Sequence, residues 1–344
     1  MVRMGVVGAS GYAGAELLRL AAAHPAVEIA WATGDSQAGS SIAGLYPNLA
    51  AVVGEQVFDR YEPAMCDDVD AVLFALPHGA SGQVIPEART RAKVVLDLGA
   101  DFRLKDPGLY PAWYGSEHPA PELLADFVYG LPELHRTELA GATAIAVPGC
   151  YPTVAILALH PLLRAGVIES TGIVVDAATG VSGGGRDKFS FCAVDEDFTA
   201  YGLLSHRHTP EMEQELGAQL LFTPHLAPMN RGILATCYAR PASPSGSGSG
   251  KHATSTAALL DVLHAAYDDE PFVVVTDAPP STKATMGSNT CQLTARYDER
   301  TGWVLVLAAI DNLVKGTSGQ ALQCVNLAFG LDETLGLPLV GLNP

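Results

Sequence analysis

The sequence predicts an α/β protein: a doubly wound Rossmann-type parallel sheet, then an α+β catalytic domain with a mixed, largely antiparallel sheet. Three observations carry this. Short apolar runs alternate with helical patterns through residues 2–147, which is the mark of βαβ units and a parallel sheet. A glycine-rich turn joins the first run to the first helical pattern. Beyond residue 150 the strands are joined by short polar turns, as in antiparallel pairs.

Residues 2–7 read as a strand. Residues 13–23 follow as a helix with Leu17, Leu18, Leu20 and Ala21 on its apolar stripe, ended by His24-Pro25. Residues 27–33 form a second strand and 69–76 a third, stopped by Pro77-His78-Gly79. A helix then runs to about Arg91, followed by strands at 93–98 and 143–147. In the second half, a helix from Thr153 to about Arg164 precedes a strand at 172–178, and further strands surround Leu220 and Leu234. Strands at 291–297 and 303–310 make a hairpin across Asp298-Glu-Arg-Thr-Gly302, and residues 314–329 form the last helix. Ser243-Pro-Ser-Gly-Ser-Gly-Ser-Gly250 is a low-complexity loop before a helix starting near Ala253.

A chain of 344 residues with 48% hydrophobic and 17% charged residues suits a globular protein of about two domains. The net charge of −17 argues against nucleic-acid or anionic-membrane partners, since both need basic surface. No run has the length of a membrane span, and the first residues enter a strand without a leader pattern. The six cysteines are scattered with no C-x-x-C pair. This fits reduced thiols in a cytoplasm and no metal site.

Gly8-Ala-Ser-Gly-Tyr-Ala-Gly14 lies between the first strand and first helix. Glycines there let the backbone approach a pyrophosphate, and the helix N-terminus supplies N–H donors. The expected contacts are Gly8, Ser10, Gly11, Tyr12, Ala13 and Gly14. The end of the second strand selects the cofactor: an acid suits the NAD ribose, and hydroxyls suit the 2′-phosphate of NADP. Thr33, Ser36 and Ser40 fit the phosphate, while Asp35 fits either a ribose or solvent. Pro77, His78 and Gly79 sit at a strand's carboxyl end, where ligands lie in doubly wound sheets.

Val147-Pro-Gly-Cys-Tyr-Pro-Thr153 places Cys150 at or near a helix N-terminus. The amides and dipole there favour a thiolate over a thiol. Arg103, after a strand end, has the fork geometry to hold a carboxylate or phosphate, against a surface salt bridge to Asp101 or Asp106. Thr179 and Ser182 to Gly185, with Arg186, form a donor-rich loop suited to a leaving phosphate or a nicotinamide carboxamide. Thr209 reads as a helix N-cap with Pro210 at the first helical position. His208 next to it therefore has a structural role or a catalytic one.

Segments spread along the chain resemble the N-acetyl-gamma-glutamyl-phosphate reductases of arginine biosynthesis. They are residues 8–14, Ala75-Leu-Pro-His-Gly79, Asp97-Leu-Gly-Ala-Asp-Phe-Arg-Leu104, Tyr129-Gly-Leu-Pro-Glu133, residues 147–153, His206-Arg-His-Thr-Pro-Glu211, Arg231-Gly-Ile-Leu-Ala-Thr236 and Asp311-Asn-Leu-Val-Lys-Gly316. The resemblance implies NADPH-dependent reduction of N-acetyl-5-glutamyl phosphate to the semialdehyde, with release of phosphate. Cys150 is then the nucleophile that forms a thioester. His206 is its acid/base partner, holding the thiolate as an ion pair and protonating the hemithioacetal oxygen.

By the same resemblance Arg103, Thr179, Ser182 and Arg207 serve the substrate. Pro77, His78, Gly183, Asn312 and Gly316 join the glycine turn, Thr33 and Ser36 at NADP(H). The family implies a homo-oligomer, a dimer or tetramer, and the cytoplasm. One departure is that the segment 33–40 has no Arg or Lys for the 2′-phosphate. The domains expected are 1–148 for the dinucleotide, 149–311 for catalysis, substrate and oligomerisation, and 312–344 as a helix returning to the first.

A related acyl-phosphate reductase, such as aspartate-semialdehyde dehydrogenase or one for a carrier-bound aminoadipyl phosphate, would share this chemistry and differ in its pocket side chains. A nucleotide-binding redox sensor, with Cys150 oxidised rather than catalytic, would show no turnover.

Overall fold

The computed structural model describes residues 1–186, 188–242 and 254–343. The chain forms two compact units. The first holds residues 1–149, 184–188 and 313–338, and the second holds 150–183, 189–312 and 339–344. The low-complexity stretch 243–250 and the helix start near Ala253 lie outside the described residues.

The first unit is a six-stranded parallel sheet of β1 (Val2–Val7), β2 (Val27–Ala32), β3 (Ala71–Phe74), β4 (Val94–Asp97), β5 (Val128–Tyr129) and β6 (Ala144–Ala146). Its order is β2-β1-β3-β4-β6-β5. β3 and β4 are buried at every position, as expected of parallel strands covered on both faces. The expected third strand is shorter, Ala71–Phe74, and next to it the Asp70 carboxylate accepts the Arg3 amide and Lys93 Nζ. Helix α1 (Tyr12–Ala21) follows β1, α2 (Ser81–Ala88) follows β3, and α3 (Pro132–Leu139) lies between β5 and β6. The short β5 and α3 leave too brief a pattern in the sequence to be read there.

The second unit is a seven-stranded mixed sheet. Its strands are β7 (Ile173–Thr179), β8 (Thr199–Ala200), β9 (Leu220–Leu226), β10 (Ile233–Ala239), β11 (Val273–Val275), β12 (Cys291–Asp298) and β13 (Trp303–Ile310). The order is β11-β12-β13-β10-β7-β9-β8. The expected hairpin is β12–β13, paired antiparallel from Cys291↔Ile310 to Asp298↔Trp303. Two pairs, β7–β9 and β11–β12, run parallel.

The longer helices of this unit are α4 (Cys150–Arg164), α5 (His208–Leu216) and α6 (Thr256–Tyr267). α4 is buried almost throughout and packs on β10 and β13. Pro161 inside α4 removes the N–H that would have bonded the Leu157 carbonyl. The Tyr267 hydroxyl, from the end of α6, donates to that carbonyl at 2.7 Å instead.

Two local expectations change. Residue Arg207, with αR angles and no side-chain cap, precedes α5, so Thr209 lies inside the helix rather than capping it. The last helix opens as a π-helical turn, Val314–Ser318, before α7 (Gly319–Ala328). Lys315 on this turn is fully buried in the first unit and paired with Glu133. The turn packs on α1, and the Ser318 hydroxyl donates to the Ala13 carbonyl at 2.8 Å. No helix among the described residues is long and apolar enough to cross a membrane.

Candidate active site

Two groups of expected residues gather at ends of the two sheets. In the first unit, Gly8 has φ +82, a region open to glycine. A Cβ there would also collide with the Ala75 carbonyl oxygen. Gly14 faces the Ala9 backbone so closely that any side chain would collide, which draws α1 onto the turn. Gly11 precedes α1 in extended backbone with no side chain capping the helix, so the first-turn amides of Tyr12, Ala13 and Gly14 need an outside acceptor. Ser10 packs beside Gly34, and its carbonyl receives the Tyr46 hydroxyl at 2.7 Å.

The Thr33 backbone closes the turn from the β2 side: its N–H bonds Val6 at 2.8 Å and its carbonyl receives Ala9 at 2.7 Å. Thr33 is buried, whereas Asp35 and Ser36 stand exposed on the next short turn. This bare, glycine-lined helix start fits a dinucleotide pyrophosphate.

Along the carboxyl ends of β3, β4 and β6 the segment 97–103 is tied down by its own polar groups. Asp97 is fully buried and accepts the amides of Gly99 (2.9 Å) and Asp101 (3.2 Å). Burial, and then the charge of Asp101, push its carboxyl up to about 6. Arg103 is buried, which removes the surface salt bridge as a reading. Its Nε donates to the Val147 carbonyl at 2.8 Å and its Nη2 to the Leu98 carbonyl at 3.0 Å. These two bonds fix the plane of the guanidinium. Pro77 is exposed and His78 half-buried on the loop after β3. Gly316 is buried in the π-helical turn on α1.

In the second unit Cys150 is the first residue of α4, partly exposed. His206 stands in an aromatic cage: Tyr151, Tyr201, Phe222 and His208 surround it with ring centroids 4.7–5.8 Å away. The Nδ1 of His206 accepts the His208 amide at 3.2 Å, so the proton of the neutral ring belongs on Nε2. His208, the first residue of α5, is buried. Arg207 is exposed, and its charge reaches Tyr201.

The Tyr201 hydroxyl donates to that of Tyr151 at 3.1 Å, which donates to the His225 carbonyl at 3.2 Å. Burial raises both phenols, Tyr201 to about 12, and a charge on Cys150 adds to both shifts. Tyr201 and Tyr151 therefore belong to the surroundings of the thiol, though sequence reasoning passed them over. A tyrosine fifty positions from its partner leaves no local signal.

Thr179 ends β7, buried, and Ser182 lies on the turn beyond it. Asn312 holds that turn: its Nδ2 donates to Ser182 Oγ at 3.0 Å and its Oδ1 accepts the Gly232 amide at 2.7 Å. A Cβ on Gly183 would lie 3.4 Å from Thr179 Oγ1. Beside it, buried Asp311 receives Arg231 (3.1 Å) and the Gly287 amide (2.6 Å).

Comparison with known proteins fits both halves. Residues 3–142 match the semialdehyde dehydrogenase NAD-binding domain, and residues 150–312 the semialdehyde dehydrogenase dimerisation domain. Over its whole length the chain is 47% identical to the N-acetyl-gamma-glutamyl-phosphate reductase of Desulforudis audaxviator, itself covered end to end. The proteins of that name in Geobacter sulfurreducens and Moorella thermoacetica are 46% and 44% identical, also over 100% of each chain. The chain belongs to the N-acetyl-gamma-glutamyl-phosphate reductase family.

Among solved structures, aspartate semialdehyde dehydrogenase II of Vibrio cholerae aligns with TM-score 0.72 at 15% identity, over 96% of this chain and 98% of that one. The Candida albicans aspartate semialdehyde dehydrogenase, solved with NADP, aligns with TM-score 0.70 at 13% identity, over 96% and 99%. At such identities the likeness shows the fold. Membership of the reductase family rests on the full-length curated relatives, and the fold it shares with the dehydrogenases is the two-unit α/β arrangement described above.

Proposed function

We propose that the protein reduces N-acetyl-5-glutamyl phosphate to N-acetylglutamate 5-semialdehyde with release of phosphate, using NADPH. The observation that carries this is full-length identity to reductases of that name, together with a cysteine at the first residue of α4. The Cys150 thiolate, favoured by the helix terminus, attacks the acyl carbon. The C–O bond to phosphate breaks, phosphate leaves with its electron pair, and a thioester joins substrate to Cys150. NADPH, held at the glycine turn of the first unit, would supply the hydride that this acyl carbon accepts. The resulting oxyanion re-forms its carbonyl, and the C–S bond breaks to return the thiolate.

His206 serves this sequence through Nε2–H, donating to the acyl oxygen as negative charge grows on it. Protonating Nδ1 would set an N–H against the His208 amide. This works against a standing thiolate–imidazolium pair and leaves the thiolate to the helix terminus. In the first unit Arg103, its plane set by two carbonyls, serves anion recognition; in the second unit Thr179, Ser182 and Arg207 serve the substrate. Thr33, Ser36 and Ser40 take the 2′-phosphate, and Asp35 stays in solvent.

The test is to supply N-acetylglutamate semialdehyde, phosphate and NADP and to follow NADPH by its absorbance. No NADPH formation, or a higher kcat/KM with aspartate semialdehyde, would refute the reading. His206→Ala is expected to lower kcat by roughly 10²–10⁴-fold with an unchanged circular dichroism spectrum, and His208→Ala by less. The reverse order would remove the assignment to His206.

The partner is a second copy of the chain. Along β7 and β10 buried residues alternate with half-exposed ones, and β13 does the same from Trp303 to Ala308. The half-exposed set lines up across the sheet as Val174, Tyr238, Leu305 and Arg296, continued by the exposed Leu221, beside Thr223, Asp176, Thr236 and Leu307. This mostly uncharged face lies wholly within the stretch matched to the dimerisation domain. Leu307→Glu, at its centre, is expected to convert the oligomer to a monomer by sedimentation velocity. An unchanged sedimentation coefficient would place the interface elsewhere.

A further inference from the structure

Three hydrogen-bond donors converge on one buried carboxylate in the first unit. Asp101 Oδ1 accepts Nδ1 of His78 at 2.9 Å and the Gly79 amide at 2.8 Å, and its Oδ2 accepts the Gly82 amide at 2.8 Å. The carboxylate thus spans the loop after β3 and the start of α2. A Cβ on Gly82 would collide with the Pro119 ring and stand in ordinary contact with the same Oδ2, so Pro119 holds this position to glycine. On its other side the His78 ring lies 4.4 Å from the Tyr114 ring.

We propose that Asp101 is a positioning residue for the dinucleotide, acting through His78 and the loop after β3. The proposal rests on the NADPH reading given above. The loop begins at Ala75 and Leu76, which touch the Gly8 turn: the Ala75 carbonyl closes on the Gly8 Cα, and the Leu76 side chain is 3.2 Å from a Cβ built there. Whatever fixes the loop therefore fixes one wall of the pyrophosphate turn.

The chemistry of the pair is directional. Burial alone would raise the Asp101 carboxyl, but His78 and the Gly79 and Gly82 amides outweigh it and hold it below its usual range. An ionised Asp101 only accepts, so Nδ1 of His78 carries a proton. Nε2 of the neutral ring is then an acceptor, set to receive a hydroxyl or amide N–H of the ligand. An aspartate here, unlike an asparagine, satisfies three donors with no donor of its own turned against Gly82.

The decisive experiment titrates NADPH, by its fluorescence, into full-length wild type, His78→Ala, Asp101→Asn and the double variant. Melting temperatures are recorded alongside. Each single variant is expected to raise the NADPH Kd roughly tenfold, the size of one lost charge-assisted bond. The double variant is expected to match His78→Ala rather than multiply the two losses. A lowered melting temperature with a Kd within twofold of wild type would reduce Asp101 to a structural role and overturn the proposal, and so would losses that multiply. If Asp101→Asn does not fold, His78→Ala, at a partly exposed position, decides alone by the same Kd. A wild type that bound no NADPH would remove the cofactor reading and this proposal together. A wild type that binds, with variants that bind equally, removes only this proposal.

Discussion

Replacing Cys150 with alanine is expected to lower turnover by about four orders of magnitude or more while NADPH binding and folding persist. Loss of a covalent nucleophile removes the whole two-step route rather than one contact in it, and the losses seen for such residues are of this order. The fold predicts that the damage stays local. Cys150 is the first residue of α4 and partly exposed. The helix owes its place to the apolar residues from Val154 to Leu162, which the substitution does not touch. Single-turnover mixing of the wild type with excess acyl phosphate, without cofactor, should release one phosphate per Cys150 in a burst. The alanine variant should release none. A variant with turnover within tenfold of wild type would exclude a thioester on Cys150.

Lys315→Met should strongly destabilise the first unit. Lys315 Nζ donates to Glu133 Oε1 at 2.6 Å and to Gln323 Oε1 at 2.9 Å, and both ionic side chains are fully buried. Gln323 passes its amide on to Glu333 at 2.7 Å, which receives Arg136 at 2.7 Å. Removing the ammonium strands the Glu133 carboxylate without its cation. Breaking a buried pair from one side costs about 3–5 kcal/mol, a large fraction of the ~5–15 kcal/mol that holds a domain together. Urea unfolding should show the midpoint falling at constant slope. Adding Glu133→Leu to Lys315→Met should recover part of the loss, because it removes the stranded charge. A loss below about 1 kcal/mol would mean that water or a rearranged partner serves Glu133.

Much of the site was legible because its chemistry is local. A positive φ at Gly8, a bare helix start at Gly11 and a proline-glycine turn before Cys150 are properties of a few consecutive residues. So is the alternation that separates a parallel sheet from a hairpin. Reading failed where one residue's role is set by another far along the chain. Arg103 shows the limit: its residue type predicts an anion receptor, and the structure adds that two carbonyls, 5 and 44 positions away, orient it. Asn312 likewise looks like a ligand contact in sequence, yet its amide also bridges Ser182 and Gly232, 130 and 80 positions away.

The two sheet types, the glycine turn and a cysteine at a helix start follow from backbone conformation and side-chain period, which neighbouring residues impose, and the family follows from the motifs spread along the chain. Contacts between distant segments set the rest: Nδ1 of His206 accepts an amide, Tyr151 and Tyr201 cage its ring, Asp101 ties down His78, and Lys315 is buried against Glu133. One cause lies behind all four. A buried polar group must find a partner, and that partner is chosen by where the folded chain passes.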